Sequence, residues 1–140
     1  IGGRGKKVLL RLVARYADVW NFNGSMREFD ETVEVLKQHC RDVGRDFSTL
    51  RLTAMGNGIC YDNEAELADF KRRIAGQDIS VDMLLSITGC KGSRDECIEY
   101  LRRWKQKGID GFVFFFQDIA SFGDGGSQAE IFKRDVLPHV

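Results

Sequence analysis

The chain has 140 residues, a length typical of one domain or of one part of a larger protein. Hydrophobic residues make up 43% and charged residues 30%, a balance that excludes a generally disordered chain and predicts a globular core. The 21 basic side chains match the 21 acidic ones, and no apolar run approaches the ~20 residues of a membrane helix, so we expect neither a nucleic-acid nor a membrane partner.

The first part of the chain predicts a strand end, a helix and a second strand. Ile1 has the character of a strand end, and apolar residues at helical spacing predict a helix over Lys6–Ala17. The predicted apolar stripe of this helix consists of Val8, Leu9, Leu12, Val13 and Tyr16. A short apolar strand, Val19–Phe22, follows, and Asn23-Gly24 turns the chain.

Later helices are predicted by capping boxes, in which two residues three positions apart satisfy free N–H groups of the first helical turn. The four pairs are Ser25 with Glu28, Asn63 with Glu66, Ser93 with Glu96, and Ser127 with Glu130. Apolar residues at helical spacing follow the first three, and glycines at 44, 76 and 108 end those helices. The fourth helix runs to roughly Leu137. Residues Ser80–Ile87 fit a short apolar helix or an irregular segment.

Two further strands complete an alternating order of strands and helices. Leu50–Met55 is moderately apolar, and Asp110–Phe116 is apolar on both faces, as in a central strand of a parallel sheet. Short links between strands and helices indicate right-handed βαβ units, about four in all. A closed (β/α)8 barrel needs about 250 residues, so the residues predict an α/β chain that is a half-barrel or a four-stranded layer.

We treat residues 1–140 as a single domain. Because the chain starts with Ile1, at what looks like the end of a strand, we expect it to be cut from a longer protein or processed.

The four cysteines do not have the spacing of a metal site. None forms a C-x-x-C pair, and the two histidines lie far from most of them, so no metal is expected. Cys40 and Cys97 fall at apolar helix positions and are predicted to be buried thiols. Nothing resembles a signal peptide, and reduced thiols in the cytoplasm are the expectation.

Ligands of α/β proteins bind at the carboxyl ends of the strands, where four loops qualify. These loops are Gly2–Gly5, Asn21–Gly24, Gly56–Cys60 and Gln117–Gly126. The first continues as Gly-Gly-Arg-Gly-Lys-Lys into a helix, where glycine backbone N–H groups, the helix N-terminus, Arg4 and Lys6 suit a phosphate. The alternative is a tight strand–helix turn with solvated lysines. The spacing matches neither G-x-G-x-x-G nor a Walker loop.

Other candidate residues have two possible interpretations each. Trp20 and Asn21, at the end of the second strand, either line a pocket with Trp20 over a ring face or serve as a core aromatic and a turn residue. Asp118 could reach a site or only bind water. His39 and His139 have no visible nucleophile or carboxylate partner, so a hydrolytic triad is not supported and the catalytic residues are unknown.

These residues also resemble a known family. Ile1-Gly2-Gly3-x-Gly5-Lys6, followed by Leu-Arg-Leu-Val-Ala-Arg-Tyr-Ala-Asp-x-Trp-Asn at 10–21, resembles the luciferase-like monooxygenase family. The similarity continues through His-Cys-x-x-Val-Gly-Arg-Asp at 39–46, Leu50–Thr53, Gly92-Ser93-x-Asp95-Glu96, Gly108–Phe112 and Ile131–Pro138. It covers nearly the whole chain, and its most specific block is residues 1–21.

The resemblance implies a fold and a cofactor. That family has a (β/α)8 barrel, of which this chain would supply the C-terminal half, strands five to eight. Its members are oxidoreductases and monooxygenases that use FMN or the deazaflavin coenzyme F420 with a small-molecule substrate. The resemblance implies cofactor binding by Gly2, Gly3, Arg4, Gly5 and Lys6, at the phosphate end, and by Trp20 and Asn21. The Gly-Gly-x-Gly form is closer to the deazaflavin branch.

Three functions therefore stay open. The first is the C-terminal part of a flavin- or F420-dependent oxidoreductase, whose remaining ring-binding and proton-transfer residues lie in the absent half. The second is a non-catalytic half-barrel that forms a homo-oligomer or pairs with the remainder of a barrel, because open strand edges and the Phe-rich strand invite association. The third is an unrelated α/β phosphate-binding module.

Overall fold

In a computed structural model, which describes residues 1–77, 80–121 and 123–140, the protein is a mixed α/β chain with parallel strand pairs. The strands are β1 (Val19–Phe22), β2 (Arg51–Cys60), β3 (Cys90–Gly92) and β4 (Gly111–Phe115). The helices are α1 (Leu9–Tyr16), α2 (Met26–Asp42), α3 (Glu64–Arg73), α4 (Val81–Ile87), α5 (Arg94–Gln106) and α6 (Gln128–Ile131). A π-helical turn, Phe132–Val136, and a 3₁₀ turn, Leu137–His139, follow α6. Shorter 3₁₀ turns lie at Phe47–Thr49 and Ile119–Ser121.

The strand β2 is the centre of the pairing. Its first half pairs in parallel with β1, Val19 opposite Arg51 and Phe22 opposite Ala54. Its second half pairs in parallel with β3, Gly58 opposite Cys90. The strand β4 also pairs with β2. Gly2 forms a parallel bridge to Asn21 of β1, which fits the prediction that Ile1 lies at a strand end.

The chain divides into two compact units. The first unit comprises Ile1–Met55 and Trp104–Val113. Its core is an aromatic cluster in which Trp20 stacks on Phe29 at 6.0 Å between ring centroids, with Phe22 edge-on to both. Trp104 meets Phe29 edge-on at 5.2 Å and is buried, so it belongs to the same core. Such contacts add about 0.5–1.5 kcal/mol per ring pair beyond the area they bury.

The second unit comprises Gly56–Arg103 and Phe114–Val140. One part of its core consists of Ile59, Leu67, Phe70, Ile74 and Leu84. In another part, the rings of Phe114, Phe116 and Phe132 lie within 5.7 Å of one another, centroid to centroid. Phe114 and Phe116 thus contribute to a core, but the prediction of a strand buried on both faces is wrong, because Val113 and Phe115 on the other face of β4 are 45% and 53% exposed.

The four predicted capping pairs all occur at helix starts. Ser25 with Glu28 and Ser127 with Glu130 form complete boxes, and Ser93 with Glu96 exchanges both bonds. The Asn63 side chain accepts a hydrogen bond from the Glu66 N–H. The Glu66 carboxylate accepts from the N–H of Asp62 rather than from that of Asn63. Helix α4 resolves the open reading of Ser80–Ile87 in favour of a helix.

The prediction for the first helix is wrong in its start and in its buried face. Helix α1 begins at Leu9 because Lys6–Val8 form a turn closed by the Leu10 N–H on the Gly5 carbonyl. Its core face is Leu10, Val13 and Ala14. Three residues of the predicted stripe are instead exposed: Val8 at 70%, Leu12 at 44% and Tyr16 at 70%. We call these three the exposed α1 face.

Two further expectations differ from the structure. The predicted loop Gly56–Cys60 is the second half of β2, because it pairs with β3, a strand that has no counterpart in the prediction. The final helix is not continuous to Leu137, since it widens into the π-helical turn after Ile131. Within the predicted loop Gln117–Gly126, Phe122 lies outside the described residues. The single domain over residues 1–140 stays a prediction.

No helix in the described part of the chain has both the length and the apolar character needed to cross a membrane.

Candidate functional site

The glycine loop, which we define as residues 2–7, is held to β1 of the first unit by backbone hydrogen bonds. The N–H of Asn21 donates to the Ile1 carbonyl at 2.9 Å, and the N–H of Gly3 donates to the Asn21 carbonyl at 2.9 Å. Gly3 has a φ of +116°, which side-chain-bearing residues rarely adopt. The loop therefore leaves the strand edge at Gly3 with a backbone geometry that needs glycine.

Two side chains anchor carbonyl groups of this loop. The indole N–H of Trp20 donates to the Gly3 carbonyl at 2.8 Å. Nε2 of His39 lies 2.8 Å from the Lys6 carbonyl oxygen, and because a carbonyl only accepts, this ring nitrogen is the donor. The sequence indicated no partner for His39, whereas the structure places it against the loop from helix α2. Both carbonyls are therefore turned toward the protein.

Three N–H groups of this loop and the following turn have no acceptor in the described part of the chain. Among residues 1–77, 80–121 and 123–140, no acceptor is hydrogen-bonded to the N–H groups of Gly5, Lys6 or Lys7. Helix α1 begins two residues later with no side-chain cap and no acidic residue in its first turn. Uncapped N–H groups at a helix start carry partial positive charge and accept an anion readily.

The two predicted cationic ligands have carboxylate partners on helix α2. Arg4 lies 2.6 Å from Oε1 of Glu28, and Lys6 lies 2.6 Å from Oε1 of Glu31. All four side chains are largely exposed, so each pair contributes little to stability. Hydrogen bonds from the Ser25 backbone and hydroxyl, helped by the charge of Arg4, hold the pKa of Glu28 below its usual range. Glu28 and Glu31 are thus charged neighbours that sequence spacing did not reveal.

The structure places Trp20 and Asn21 differently from a ligand-lining pair. Trp20 is fully buried in the aromatic core, which fits the core-aromatic alternative for its ring. It reaches the candidate site only through its N–H on Gly3. The side chain of Asn21 accepts a hydrogen bond from the Thr53 hydroxyl at 3.1 Å, its partner across β1 and β2. Contact of either side chain with a cofactor stays a prediction.

A second polar arrangement lies in the second unit, at the end of β2. The side-chain amide of Gln128 accepts from the Cys60 N–H at 2.6 Å and donates to the Cys60 carbonyl at 3.1 Å, so it occupies both backbone groups as a strand would. Its own backbone N–H donates to Oδ2 of Asp118 at 2.9 Å. Asp118 was predicted either to reach a site or to bind water. Its carboxyl is instead buried and anchors the start of helix α6.

Asp118 carries a polar atom without a partner. Its Oδ1 atom is buried and forms no hydrogen bond with any residue that the structure describes. Burial raises the pKa of this carboxyl, and the hydrogen bond from Gln128 and the charge of Arg73 oppose that rise only in part. Neither Gln128 nor the depth of Asp118 could be inferred from the sequence, since both depend on contacts across the loop that follows β4.

The described residues contain no cluster of three or more His, Cys, Asp or Glu side chains placed to hold a metal ion. All four cysteines are buried free thiols, as predicted for Cys40 and Cys97.

Three solved structures share this fold. The coenzyme F420-dependent tetrahydromethanopterin reductase of Methanopyrus kandleri matches with a TM-score of 0.66 and 14% identity, covering 99% of this chain and 49% of its own. An F420-dependent secondary alcohol dehydrogenase in complex with an F420-acetone adduct matches with a TM-score of 0.66, 15% identity and coverage of 99% and 48%. The EDTA monooxygenase of Chelativorans sp. BNC1 matches with a TM-score of 0.65, 19% identity and coverage of 96% and 42%.

These similarities establish the fold. All three neighbours are luciferase-like proteins, so the resemblance predicted from residues 1–21 is confirmed at the level of the fold. The chain has the mixed α/β fold of a partial (β/α)8 barrel and spans about half the length of each neighbour. No protein-family model and no curated protein sequence matches the chain.

Proposed function

We propose that this chain is the C-terminal part of a luciferase-like oxidoreductase and that its glycine loop binds the phosphate of a flavin or of coenzyme F420. The observation that carries the proposal is the row of N–H groups at Gly5, Lys6 and Lys7, directly before helix α1, for which no described residue is an acceptor. The fold supports the cofactor class, because two of the structural neighbours are F420-dependent enzymes and the third is a monooxygenase.

The loop residues fit a phosphate group on both geometry and charge. Trp20 and His39 turn the Gly3 and Lys6 carbonyls away, which leaves donors rather than acceptors for the ligand. Arg4 and Lys6 are exposed enough to exchange their glutamate partners for a phosphate. A Cβ at Gly3 would lie 3.1 Å from Leu9, so the close approach of loop and helix also favours glycine.

In this proposal the chain binds and orients the cofactor, and none of its residues is assigned a catalytic role. The bound flavin or deazaflavin ring would supply hydride chemistry toward a small-molecule substrate. The donors of Gly5, Lys6 and Lys7 would fix the phosphate end, while proton-transfer residues would come from the half of the barrel that this chain does not contain. We place the protein in the cytoplasm because its four cysteines are free thiols.

A pair of ligands tests the phosphate site. FMN and riboflavin differ only by the phosphate, so titration of the 140-residue chain with each isolates its contribution. We expect FMN to bind more tightly by about 1–3 kcal/mol, the range for charge-assisted hydrogen bonds. Equal affinity for the two ligands, or binding of neither, would contradict the proposal.

A matched pair of variants identifies the loop. The double substitution Arg4→Gln with Lys6→Gln should remove most of the preference for FMN while leaving riboflavin binding unchanged. Arg11→Gln removes an exposed positive charge from helix α1 itself, away from the loop, and should keep the preference. A loss of preference in Arg11→Gln alone would point to general charge attraction rather than to the loop.

A second candidate function is a non-catalytic half-barrel that self-associates or pairs with the remainder of a barrel. The exposed α1 face favours it, and so do Val113 and Phe115, which lie exposed on one face of β4. Each such apolar side chain, if covered, would contribute about 1.5–3 kcal/mol. Association and cofactor binding are compatible, so the FMN experiment, rather than the oligomeric state, separates the two functions.

A further inference from the structure

Three of the four cysteines converge in the second unit. Cys60 ends β2, Cys90 begins β3, and Cys97 lies in the first turns of helix α5. Their side chains are 0–1% exposed. The fourth, Cys40, is equally buried but lies in the first unit on helix α2, with no thiol near it in sequence. The chain therefore contains a thiol cluster and a matched solitary thiol.

The strand register puts Cys60 and Cys90 on the same face of the β2–β3 pair. Cys60 lies opposite Gly92, and Cys90 lies two residues before Gly92 on the same strand. Helix α5 covers this face, because Sγ of Cys97 lies 3.8 Å from the Gly92 carbonyl and 3.9 Å from the Ile59 carbonyl. Cys97 therefore sits between the two strand cysteines.

The three thiols lie close enough to influence one another's pKa. The thiols of Cys60 and Cys90 both influence the pKa of Cys97, and the influence of Cys60 is the larger. The Cys97 thiol and burial raise the pKa of Cys60. The Cys60 thiol lowers the pKa of Cys97, but the Cys90 thiol and burial outweigh that influence, so both thiols stay protonated. The folded unit therefore protects a thiol pair that is already close together.

The arrangement suits sulfur–sulfur bonding better than metal binding. In the described part of the chain, no group of three or more His, Cys, Asp or Glu side chains is placed to hold a metal ion. A disulfide needs only two sulfurs whose side chains converge. Packing places Sγ of Cys97 3.9 Å from the carbonyl of Ile59, the residue directly before Cys60. Ordinary burial explains Cys40, but it does not explain why three thiols gather at one strand end.

We propose that Cys97 and Cys60 are an oxidation site at which a small peroxide forms an intrachain disulfide. The peroxide oxidises one thiol to a sulfenic acid and leaves as an alcohol or, from hydrogen peroxide, as water. The second thiol then attacks the sulfenic sulfur, the S–S bond forms, and water leaves. Two thiols lose two protons and two electrons in total, and the peroxide is the electron acceptor.

The bond would tie the end of β2 to helix α5. Because both thiols are buried and protonated, we expect slow oxidation that depends on local opening of the unit. A dithiol reductant should reverse it, since the product is a disulfide rather than a sulfinic acid. This inference is independent of the phosphate site, which lies in the first unit.

The test is peptide mapping of the 140-residue chain after treatment with hydrogen peroxide. We expect an intact mass lower by two hydrogen atoms, a Cys60–Cys97 linked peptide, and full reversal by dithiothreitol. Cys97→Ser should abolish the linked product, and Cys40→Ser should leave its yield unchanged. Circular dichroism and cooperative unfolding of each variant check that the chain is folded.

Three results would overturn the proposal. A folded wild-type chain that shows no mass loss would exclude the site. A Cys90–Cys97 or Cys60–Cys90 linkage would show that the proposed pair of cysteines is wrong. A disulfide that forms equally well in Cys97→Ser, or that links two chains, would show that convergence in the fold plays no role.

Discussion

Replacing Gln128 by alanine tests whether a side chain completes the backbone hydrogen bonding at the end of β2. The Gln128 amide occupies both the N–H and the carbonyl of Cys60, at 2.6 and 3.1 Å, in a buried setting. The Gly92 carbonyl of the opposite strand accepts from the next N–H, that of Tyr61. Truncation would leave two buried backbone groups without partners.

The structure sets the size of the effect. Each buried backbone group left without a partner costs about 1–3 kcal/mol, so Gln128→Ala, which leaves two, should lower the free energy of unfolding by about 2–6 kcal/mol. For a chain of this length, that corresponds to a melting temperature lower by about 6 °C or more. Urea unfolding and thermal unfolding, both followed by circular dichroism, measure the two quantities.

A second glutamine supplies the control. The side-chain amide of Gln77 donates to the Gln117 carbonyl at 2.7 Å, in an exposed position of the same unit. Gln77→Ala should change the free energy of unfolding by no more than about 0.5 kcal/mol. If Gln128→Ala is as mild as Gln77→Ala, water or the loop replaces the amide, and the argument from unsatisfied backbone groups is refuted.

Three further predictions concern pH, packing and association. Because burial raises the pKa of Asp118, the native chain binds more protons than the unfolded chain between the ordinary and the raised pKa. The free energy of unfolding should therefore fall as pH rises through that window. Urea unfolding of Asp118→Asn should lack this fall. Parallel pH profiles would contradict it. Gly58→Ala should cost about 1–3 kcal/mol in urea unfolding, because its Cβ would lie 2.7 Å from the Phe132 ring, whereas Gly56→Ala meets no atom within 4 Å and should be mild. Equal effects would refute the packing argument. Sedimentation at micromolar concentration should show a species heavier than one chain, and weaker association in Leu12→Lys would implicate the exposed α1 face; a cooperatively folded monomer would count against self-association.

Local signals in the sequence predicted much of the fold. The capping pair Ser25 with Glu28 and the apolar stripe of α2 involve residues three or four positions apart, and such contacts form wherever the helix forms. The strands β1 and β4 were predictable for a similar reason, since short apolar runs bounded by turn residues have few alternatives.

Long-range packing explains the failures. Helix α1 has apolar residues on two faces, so periodicity cannot decide between the Leu10–Val13 side and the exposed α1 face. Glycines at 56 and 58 indicate a loop by themselves, yet Gly58 belongs to β2, where the Phe132 ring needs the space of a missing side chain. Both outcomes depend on residues far away in the chain.

The candidate site divides in the same way. The glycine loop was predictable because a Gly-Gly-Arg-Gly run between a strand end and a helix is a local pattern. The anchoring of its carbonyls by Trp20 and His39 was not, because 17 and 33 residues separate these donors from their acceptors. The glutamate partners of Arg4 and Lys6 lie 24 and 25 residues away, beyond any local pattern.

Amide-resolved NMR of the 140-residue chain, titrated with FMN, tests the central claim most directly. The account predicts that the N–H signals of Gly5, Lys6 and Lys7 shift with FMN and not with equal concentrations of riboflavin, because these three donors would bind the phosphate. Saturable shifts elsewhere in the chain, with these three signals unchanged, would contradict the assignment of the glycine loop as the phosphate site.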